Sequence, residues 1–122
     1  MGSIVLTFMS GPRDGETVSL EASGEPVNVS IGRTPDNTLN LPDDPDASRR
    51  HARLVQREEE WWLEDLGSSN GTFMGEFSRA VRVTTPTKIT PGQIFRVGLT
   101  RLRLETSEKN LAETYAFREA KV

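Results

Sequence analysis

The sequence predicts an all-β protein, folded as a sandwich or barrel of short strands. From residue 4 to about residue 105, apolar or alternating segments of strand length are interrupted every few residues by Gly, Pro, Asn or Asp. This part of the chain shows no convincing helical periodicity, and its 122-residue length fits one domain. Many short strands separated by frequent turns are typical of sandwiches and barrels.

The first four strands are predicted from an apolar run and three alternating segments. Alternation of apolar and polar residues indicates a strand with one buried face. Turn residues separate these segments, including Asp14-Gly15, which tolerates the positive φ of a tight turn, and the sequence Thr34-Pro35-Asp36-Asn37. The four predicted strands cover residues 4–9, 17–20, 27–31 and 39–41.

Seven further strands are predicted after the proline-containing polar loop at residues 42–46. Trp61 and Trp62 are neighbours in one of them, so we expect one tryptophan in the core and the other at the surface. Gly71 and the pair Pro91-Gly92 mark turns between these strands. The seven strands cover residues 51–56, 61–66, 72–74, 81–83, 88–89, 94–97 and 102–104.

The carboxyl-terminal residues 106–122 differ in composition from the rest. They are rich in Glu, Ala and Lys, contain no Gly or Pro, and place Leu111 and Tyr115 four positions apart. This pattern favours a helix. The sequence therefore predicts a domain over residues 1–105, followed by a short helical tail or linker at 106–122.

Composition excludes several classes of function. The absence of cysteine excludes disulfides, zinc–thiolate sites and thiol catalysis. The net charge of −3 disfavours general nucleic-acid binding, which usually needs a basic surplus. No apolar stretch approaches a membrane span of about 20 residues, and the amino terminus does not resemble a signal peptide. We expect a monomeric cytoplasmic domain that contacts neither nucleic acid nor membrane.

Three polar clusters fall in the predicted loops. Loops on a rigid β-scaffold are common positions for binding residues, and strand ends can converge at one edge of a sandwich. The clusters are Gly32-Arg33, Ser48-Arg49-Arg50-His51 and Ser68-Ser69-Asn70-Gly71-Thr72.

The residue types in these clusters suit a phosphate ester. A phosphate dianion needs fixed positive charge, and an Arg guanidinium supplies it with a planar fork of donors. A Ser hydroxyl and turn N–H groups complete the shell. An Asn amide has both donors and an acceptor for the backbone of an extended peptide. The combination predicts recognition of a phosphorylated side chain and its flanking main chain.

The three clusters, in this order and spacing, resemble the signature of forkhead-associated (FHA) domains over roughly residues 4–105. The resemblance implies an FHA-like sandwich of two sheets and about eleven strands, with phosphothreonine peptides bound by loops at one end. It implies no catalysis, no cofactor and no metal. The expected partner is a phosphothreonine-containing protein, such as a Ser/Thr kinase or its substrate.

The resemblance also implies a role for each residue of the signature. Arg33 and Ser48 match phosphate contacts, Ser69 stands near the phosphate, and Asn70 matches the side chain that holds the peptide backbone. Arg49 and Arg50 are candidate additional contacts from the same loop. Structural support is implied for three further residues, which are Gly32, His51 and Gly71.

Other interpretations of these residues remain open. Arg33 suits an ordinary surface arginine, Ser48 suits a loop cap, and Arg49 and Arg50 suit a solvated basic face. Three aspartates at positions 43, 44 and 46 suggest calcium, but the EF-hand Gly and Glu are missing, so we expect a solvated acidic loop. Asp46, being close to the predicted anion site, should point away or pair with an Arg.

Two other classes of function compete with phosphopeptide binding. Gly67-Ser68-Ser69-Asn70-Gly71 matches G-x-S-x-G, but a nucleophile elbow needs a following helix and a downstream His, and the only histidine, His51, lies upstream. For His51 we prefer a hydrogen-bonded structural role. The second alternative is a protein-interaction sandwich that ignores phosphate.

Overall fold

The computed structural model describes residues 2–107 as eleven strands and one short 3-10 helix. All eleven predicted strands are confirmed, with ends shifted by a few residues at most. The last strand runs to Ser107, two residues beyond the predicted domain boundary, and the predicted helical tail otherwise lies outside the described residues. The strands are β1 (Ser3–Phe8), β2 (Thr17–Glu21), β3 (Asn28–Gly32), β4 (Leu39–Asn40), β5 (Ala52–Arg57), β6 (Glu60–Asp65), β7 (Thr72–Met74), β8 (Val81–Arg82), β9 (Thr87–Ile89), β10 (Ile94–Val97) and β11 (Thr100–Ser107).

The strands form two sheets. One has six strands in the order β2-β1-β11-β10-β7-β8, and the other has five in the order β4-β3-β5-β6-β9. All the pairs of named strands described for residues 2–107 are antiparallel except β3 with β4. The 3-10 helix, Phe77–Arg79, lies in the connection between β7 and β8 and was not predicted.

The core lies between the two sheets and is filled by alternate residues of the strands. Leu6 and Phe95 from one sheet and Ile31 and Leu54 from the other are fully buried. Trp61 is buried and its neighbour Trp62 is only half-buried, which confirms the expected division between core and surface. The period-2 pattern therefore fixes which side chains remain free to face solvent.

Four connections meet at one end of the sandwich. β10 and β7 bring Val97 beside Thr72, and β1 and β11 bring Phe8 beside Leu102. Hydrogen bonds join the β3–β4, β4–β5, β6–β7 and β10–β11 connections to one another. Within residues 2–107, no helix is long and apolar enough to cross a membrane.

Candidate functional site

Arg33 projects from the first position after β3. Its backbone N–H donates to the carbonyl of Ser48 at 3.0 Å, and its Nε donates to the carbonyl of Ala47, also at 3.0 Å. The backbone bond fixes Arg33 beside the β4–β5 loop, and the Nε bond orients its guanidinium. No carboxylate of the described residues forms an ion pair with it, so its two terminal NH₂ groups remain available to an external anion.

Ser48 connects the β4–β5 loop to the β6–β7 loop. Its Oγ accepts the backbone N–H of Ser69 at 3.1 Å, and its own N–H donates to Nδ1 of His51 at 3.0 Å. The side chain is half-buried, and within residues 2–107 its hydroxyl hydrogen has no acceptor. The hydroxyl can therefore donate to a ligand while its oxygen holds the neighbouring loop.

His51 lies beneath this junction with 0% of its surface exposed. Since Nδ1 accepts from Ser48, the ring proton is on Nε2, which donates to the carbonyl of Gly71 at 2.9 Å. Both ring nitrogens are engaged with backbone groups of two different loops. This geometry favours the structural interpretation of His51 over the catalytic one.

Gly32 permits the close approach of the β3 end and the β4–β5 loop. A Cβ at this position would lie 2.2 Å from the carbonyl oxygen of Arg49 and 2.8 Å from Nδ2 of Asn37. That same carbonyl accepts hydrogen bonds from Nδ2 of Asn37 at 2.8 Å and Oγ1 of Thr34 at 3.1 Å. Any side chain larger than hydrogen at position 32 would separate the two loops.

Arg49 and Arg50 have different surroundings although both are exposed. The Arg49 guanidinium has no partner within residues 2–107. Arg50 forms an exposed ion pair with Asp36 of the β3–β4 loop at 3.3 Å. Exposed ion pairs of this kind contribute little to stability, because solvent screens the charges. Arg50 thus points towards Asp36. Arg33 and Asn70, by contrast, both bond the segment Asp46–Ser48, to which Ser48 itself belongs.

Asn70 is exposed and tethered by one side of its amide. Its Nδ2 donates to the carbonyl of Asp46 at 2.9 Å, leaving Oδ1 without a partner in the described chain. Ser69 exposes a hydroxyl beside it. Gly71 follows with φ of 85°, a backbone conformation that residues with a Cβ rarely adopt. Its N–H donates to Oγ of Ser68 at 2.9 Å.

Asp65 organises the β6–β7 loop and was missed by sequence reasoning. Its carboxylate accepts the hydroxyls of Ser68 (2.5 Å) and Thr72 (2.7 Å) and the N–H groups of Gly67 and Ser68 (both 3.0 Å). Burial raises the pKa of Asp65, but these hydrogen bonds outweigh burial and lower the pKa below its usual value. An Asp two residues before Gly67, at the end of a predicted strand, was the available signal.

Asp44 overturns the expectation that residues 43–46 form a solvated acidic loop. It is 6% exposed, and its carboxylate accepts from the N–H of Asp46 (3.0 Å), the N–H of Leu99 (2.9 Å) and the hydroxyl of Thr100 (2.7 Å). It therefore fastens the β4–β5 loop to the β10–β11 turn. The expectation holds for Asp43, which is exposed.

Asp46 is partly exposed and makes no ion pair with an arginine of the described residues. Its contribution to the site is its backbone carbonyl, which holds Asn70. Asp46 was expected to point away from the site or to pair with an Arg, and the second arrangement is not formed within residues 2–107.

Comparison with known proteins agrees with this arrangement of loops. The family model for the FHA domain matches residues 29–98, which include the three polar clusters. The chain belongs to the FHA domain family. It is 42% identical over 99 residues to the FHA domain-containing protein FhaB of Mycobacterium tuberculosis, covering 81% of this chain and 58% of FhaB. The chain thus spans little more than half the length of that relative.

Solved FHA domains share the fold. An FHA domain from an Arabidopsis thaliana hypothetical protein is 28% identical, with a TM-score of 0.69 and 86% of each chain covered. A second solved domain, from a structural and functional analysis of phosphothreonine-dependent FHA domain interactions, is 27% identical. Its TM-score is 0.65, with 85% of this chain and 96% of the other covered. The two-sheet FHA sandwich predicted from the sequence is confirmed.

Proposed function

We propose that this FHA domain binds proteins phosphorylated on threonine, holding the phosphothreonine and its extended flanking backbone at the joined loops. The observation that carries the proposal is the coupling of Arg33, Ser48 and Asn70 through the segment Asp46–Ser48. Each side chain uses one polar group on that segment or on the loop beside it, and each keeps another group free.

The free groups divide by chemistry. Arg33 offers two NH₂ groups and Ser48 offers one hydroxyl, and charge-assisted donors of this kind match the oxygens of a phosphate dianion. Asn70 offers an amide oxygen, which suits a peptide N–H beside the phosphoresidue. Arg49 and Ser69 lie next to these groups and are proposed as secondary contacts. Arg50 would have to leave Asp36 to contribute.

We propose recognition without turnover. Both nitrogens of His51 are engaged by backbone groups, so the ring has no free nitrogen to activate Ser69 or a water. Ser69 itself is followed by strand β7 rather than by the helix that a nucleophile elbow requires. The cytoplasmic location and the kinase or kinase substrate as partner stay predictions.

Preference for phosphothreonine over phosphoserine requires a pocket for the γ-methyl group. Burial of one methyl is worth about 0.8 kcal/mol, or roughly a fourfold preference. A larger preference would mean that the site also fixes the rotamer of the phosphoresidue. One of the solved FHA domains similar to this chain was studied for phosphothreonine-dependent interactions, which supports phosphothreonine as the ligand.

The test is capture of degenerate peptide libraries that carry phosphothreonine, phosphoserine or threonine at one fixed position. We expect the wild-type domain to retain the phosphothreonine library and Arg33→Ala to lose it. Arg57→Ala is the matched control, since it removes an exposed arginine at the opposite end of the same sheet, where β5 turns into β6. Equal capture of all three libraries would favour the phosphate-independent interaction module instead.

A further inference from the structure

Three arginines form a row across the outer face of the six-stranded sheet. Arg82 of β8 lies opposite Phe73 of β7, Phe73 lies opposite Arg96 of β10, and Arg96 lies opposite Arg101 of β11. Their neighbours in sequence Thr72, Phe95 and Leu102 point into the core and are fully buried. By alternation the row therefore faces outward.

The aromatic ring of Phe73 lies inside this row. The guanidinium carbon of Arg96 stands 4.4 Å from the centroid of the ring, and Nη1 of Arg96 donates to the carbonyl of Gly98 at 2.8 Å. A Cβ on Gly71 would lie 3.2 Å from the edge of this ring and 3.0–3.1 Å from Nε and Cζ of Arg82, closer than an ordinary contact, so both side chains pack tightly over Gly71. The row is thus a packed surface with defined geometry.

Two of the three arginines in the row lack a carboxylate partner within the described residues. Neither Arg82 nor Arg96 forms an ion pair with a carboxylate of residues 2–107. Arg96 and Arg101 are direct cross-strand partners, so the two side chains leave the sheet side by side on this face. In the adjacent position of β11, by contrast, Arg103 is paired with Glu105. The unpaired charges of Arg82 and Arg96, on one face of a protein of net charge −3, suggest a binding role.

The row begins at the proposed phosphopeptide site. Arg82 packs against Gly71, which immediately follows Asn70. Neighbouring strands are about 4.8 Å apart, so four strands span roughly 14 Å, the length of about four extended residues. A peptide held by Asn70 can therefore continue across the edge strand and along the row.

We propose that this arginine row (Arg82, Arg96 and Arg101, with Phe73) binds an acidic segment of the same phosphorylated partner, a few residues away from its phosphothreonine. The inference rests on the proposed function. An acidic peptide fits better than a nucleic acid, because three arginines neutralise few phosphates and the rest of the chain is acidic. The row adds affinity and selects partners by charge outside the phosphate site.

The experiment compares three phosphothreonine peptides by fluorescence anisotropy at 50 mM salt. The first is a short peptide around the phosphothreonine. The second adds eight Glu-rich residues to it, and the third adds eight Gln-rich residues. Each long peptide is made in two versions, one extended at the amino end and one at the carboxyl end. The Glu extension at one end should raise affinity about tenfold over the Gln extension, from several exposed charge pairs. At 0.5 M salt the gain should shrink to about twofold or less.

Two variants test whether the extra affinity of the Glu-rich extension comes from the arginine row. Arg82→Gln and Arg101→Gln should each reduce it about two- to fivefold while leaving the short peptide's affinity unchanged. The matched control is Arg57→Gln, which changes the net charge equally but lies on the other sheet. Thermal melts of all variants exclude unfolding as the cause.

The outcomes that overturn the proposed role of the row differ from those that would show no phosphothreonine binding. No gain at either end, or a gain that Arg57→Gln reduces as much as Arg82→Gln, removes the role of the row while phosphothreonine binding stands. Loss of binding to a 12-residue single-stranded DNA in Arg82→Gln, with acidic-peptide binding intact, would make nucleic acid the occupant. If the short peptide does not bind the wild-type domain, the proposed function and this inference fail together.

Discussion

At the scale of single residues, the candidate site depends on side chains that serve two purposes at once. Ser48 accepts from the Ser69 N–H and keeps its hydroxyl hydrogen for a ligand, and Arg33 uses Nε on Ala47 and keeps its terminal NH₂ groups. These hydrogen bonds within the domain restrict the rotamers of both side chains before a ligand binds. Part of the entropy cost of ordering them on binding is therefore already met in the free domain.

Ser48→Ala removes both functions of its hydroxyl. We expect affinity for a phosphothreonine peptide to fall about 10- to 150-fold, since a hydrogen bond to a charged group is worth roughly 1.5–3 kcal/mol. Calorimetric titration measures this loss. Ser69→Ala is the matched control, because its backbone N–H bond to Ser48 survives, and it should lose less. Equal losses in the two variants would contradict the role given to Ser48.

His51→Ala leaves two backbone groups beneath the site without partners. The imidazole is fully buried and bonds both Ser48 and Gly71, so we expect the free energy of unfolding to fall by about 3 kcal/mol. Urea denaturation measures it, with Val81→Ala as a control at a position that is 68% exposed. A loss below about 1 kcal/mol would mean that His51 does not brace these loops.

At the scale of the elements, hydrogen-bonded carboxylates define the loops more than the turn residues do. Asp44 connects the β4–β5 loop to the β10–β11 turn, and Asp65 gathers four donors of the β6–β7 loop. Gly98 allows the first of these contacts, because a Cβ there would lie 2.7 Å from both carboxylate oxygens of Asp44. The segment that holds Arg33 and Asn70 is therefore fixed from behind.

Asp44→Asn tests this anchoring against a neighbouring control. An amide in place of the carboxylate turns a donor towards N–H and O–H groups, so we expect a loss of about 1.5–3 kcal/mol in unfolding free energy and a several-fold loss of phosphopeptide affinity. Asp43→Asn makes the same change of charge at an exposed position and should stay within about 0.5 kcal/mol of wild type. Similar behaviour of the two variants would refute the anchoring role.

At the scale of the whole molecule, we expect Asp65 to make the free energy of unfolding depend on pH in acid solution. Its pKa is lower in the folded state than in the unfolded chain, so its stabilisation is complete above the unfolded pKa of about 3.9 and is lost as pH falls through the folded pKa. The difference in unfolding free energy between wild type and Asp65→Asn should be constant from pH 5 to 8 and narrow below about pH 4.

Urea denaturation at successive pH values makes this comparison. Taking the difference between the two proteins removes the contributions of other carboxyls with lowered pKa values, such as Asp36 and Glu105. A difference that stays constant down to pH 2.5 would show that the hydrogen bonds of Asp65 do not favour its charged form.

The fold was predictable because alternation and turn residues are local signals. Residues 27–31 alternate and form β3, and the apolar run at 4–9 forms β1. The importance of Asp44 was not predictable, because its partners Leu99 and Thr100 are 55 and 56 residues away in sequence. Glu58 and Glu59 form the β5–β6 turn with φ of 51° and 69°, where the local signal would have been Asn-Gly.

The candidate site was predictable to the extent that its motif residues are contiguous. Arg33, Ser48 and Asn70 converge as the three clusters suggested. The tethers that orient them, and the pairing of Arg50 with Asp36, depend on how the loops lie in space and so required the structure. The arginine row across four strands likewise has no sequence pattern, since its members come from separate strands brought together by the sheet order.

The central claim is that Arg33 recognises the phosphate itself, and a thermodynamic cycle tests it most directly. Dissociation constants are measured for one library-selected peptide, phosphorylated and unphosphorylated, with wild type and with Arg33→Ala. We expect Arg33→Ala to weaken the phosphorylated peptide about 10- to 150-fold and the unphosphorylated peptide hardly at all. Equal effects on both peptides, or none on either, would contradict the assignment of the phosphate site.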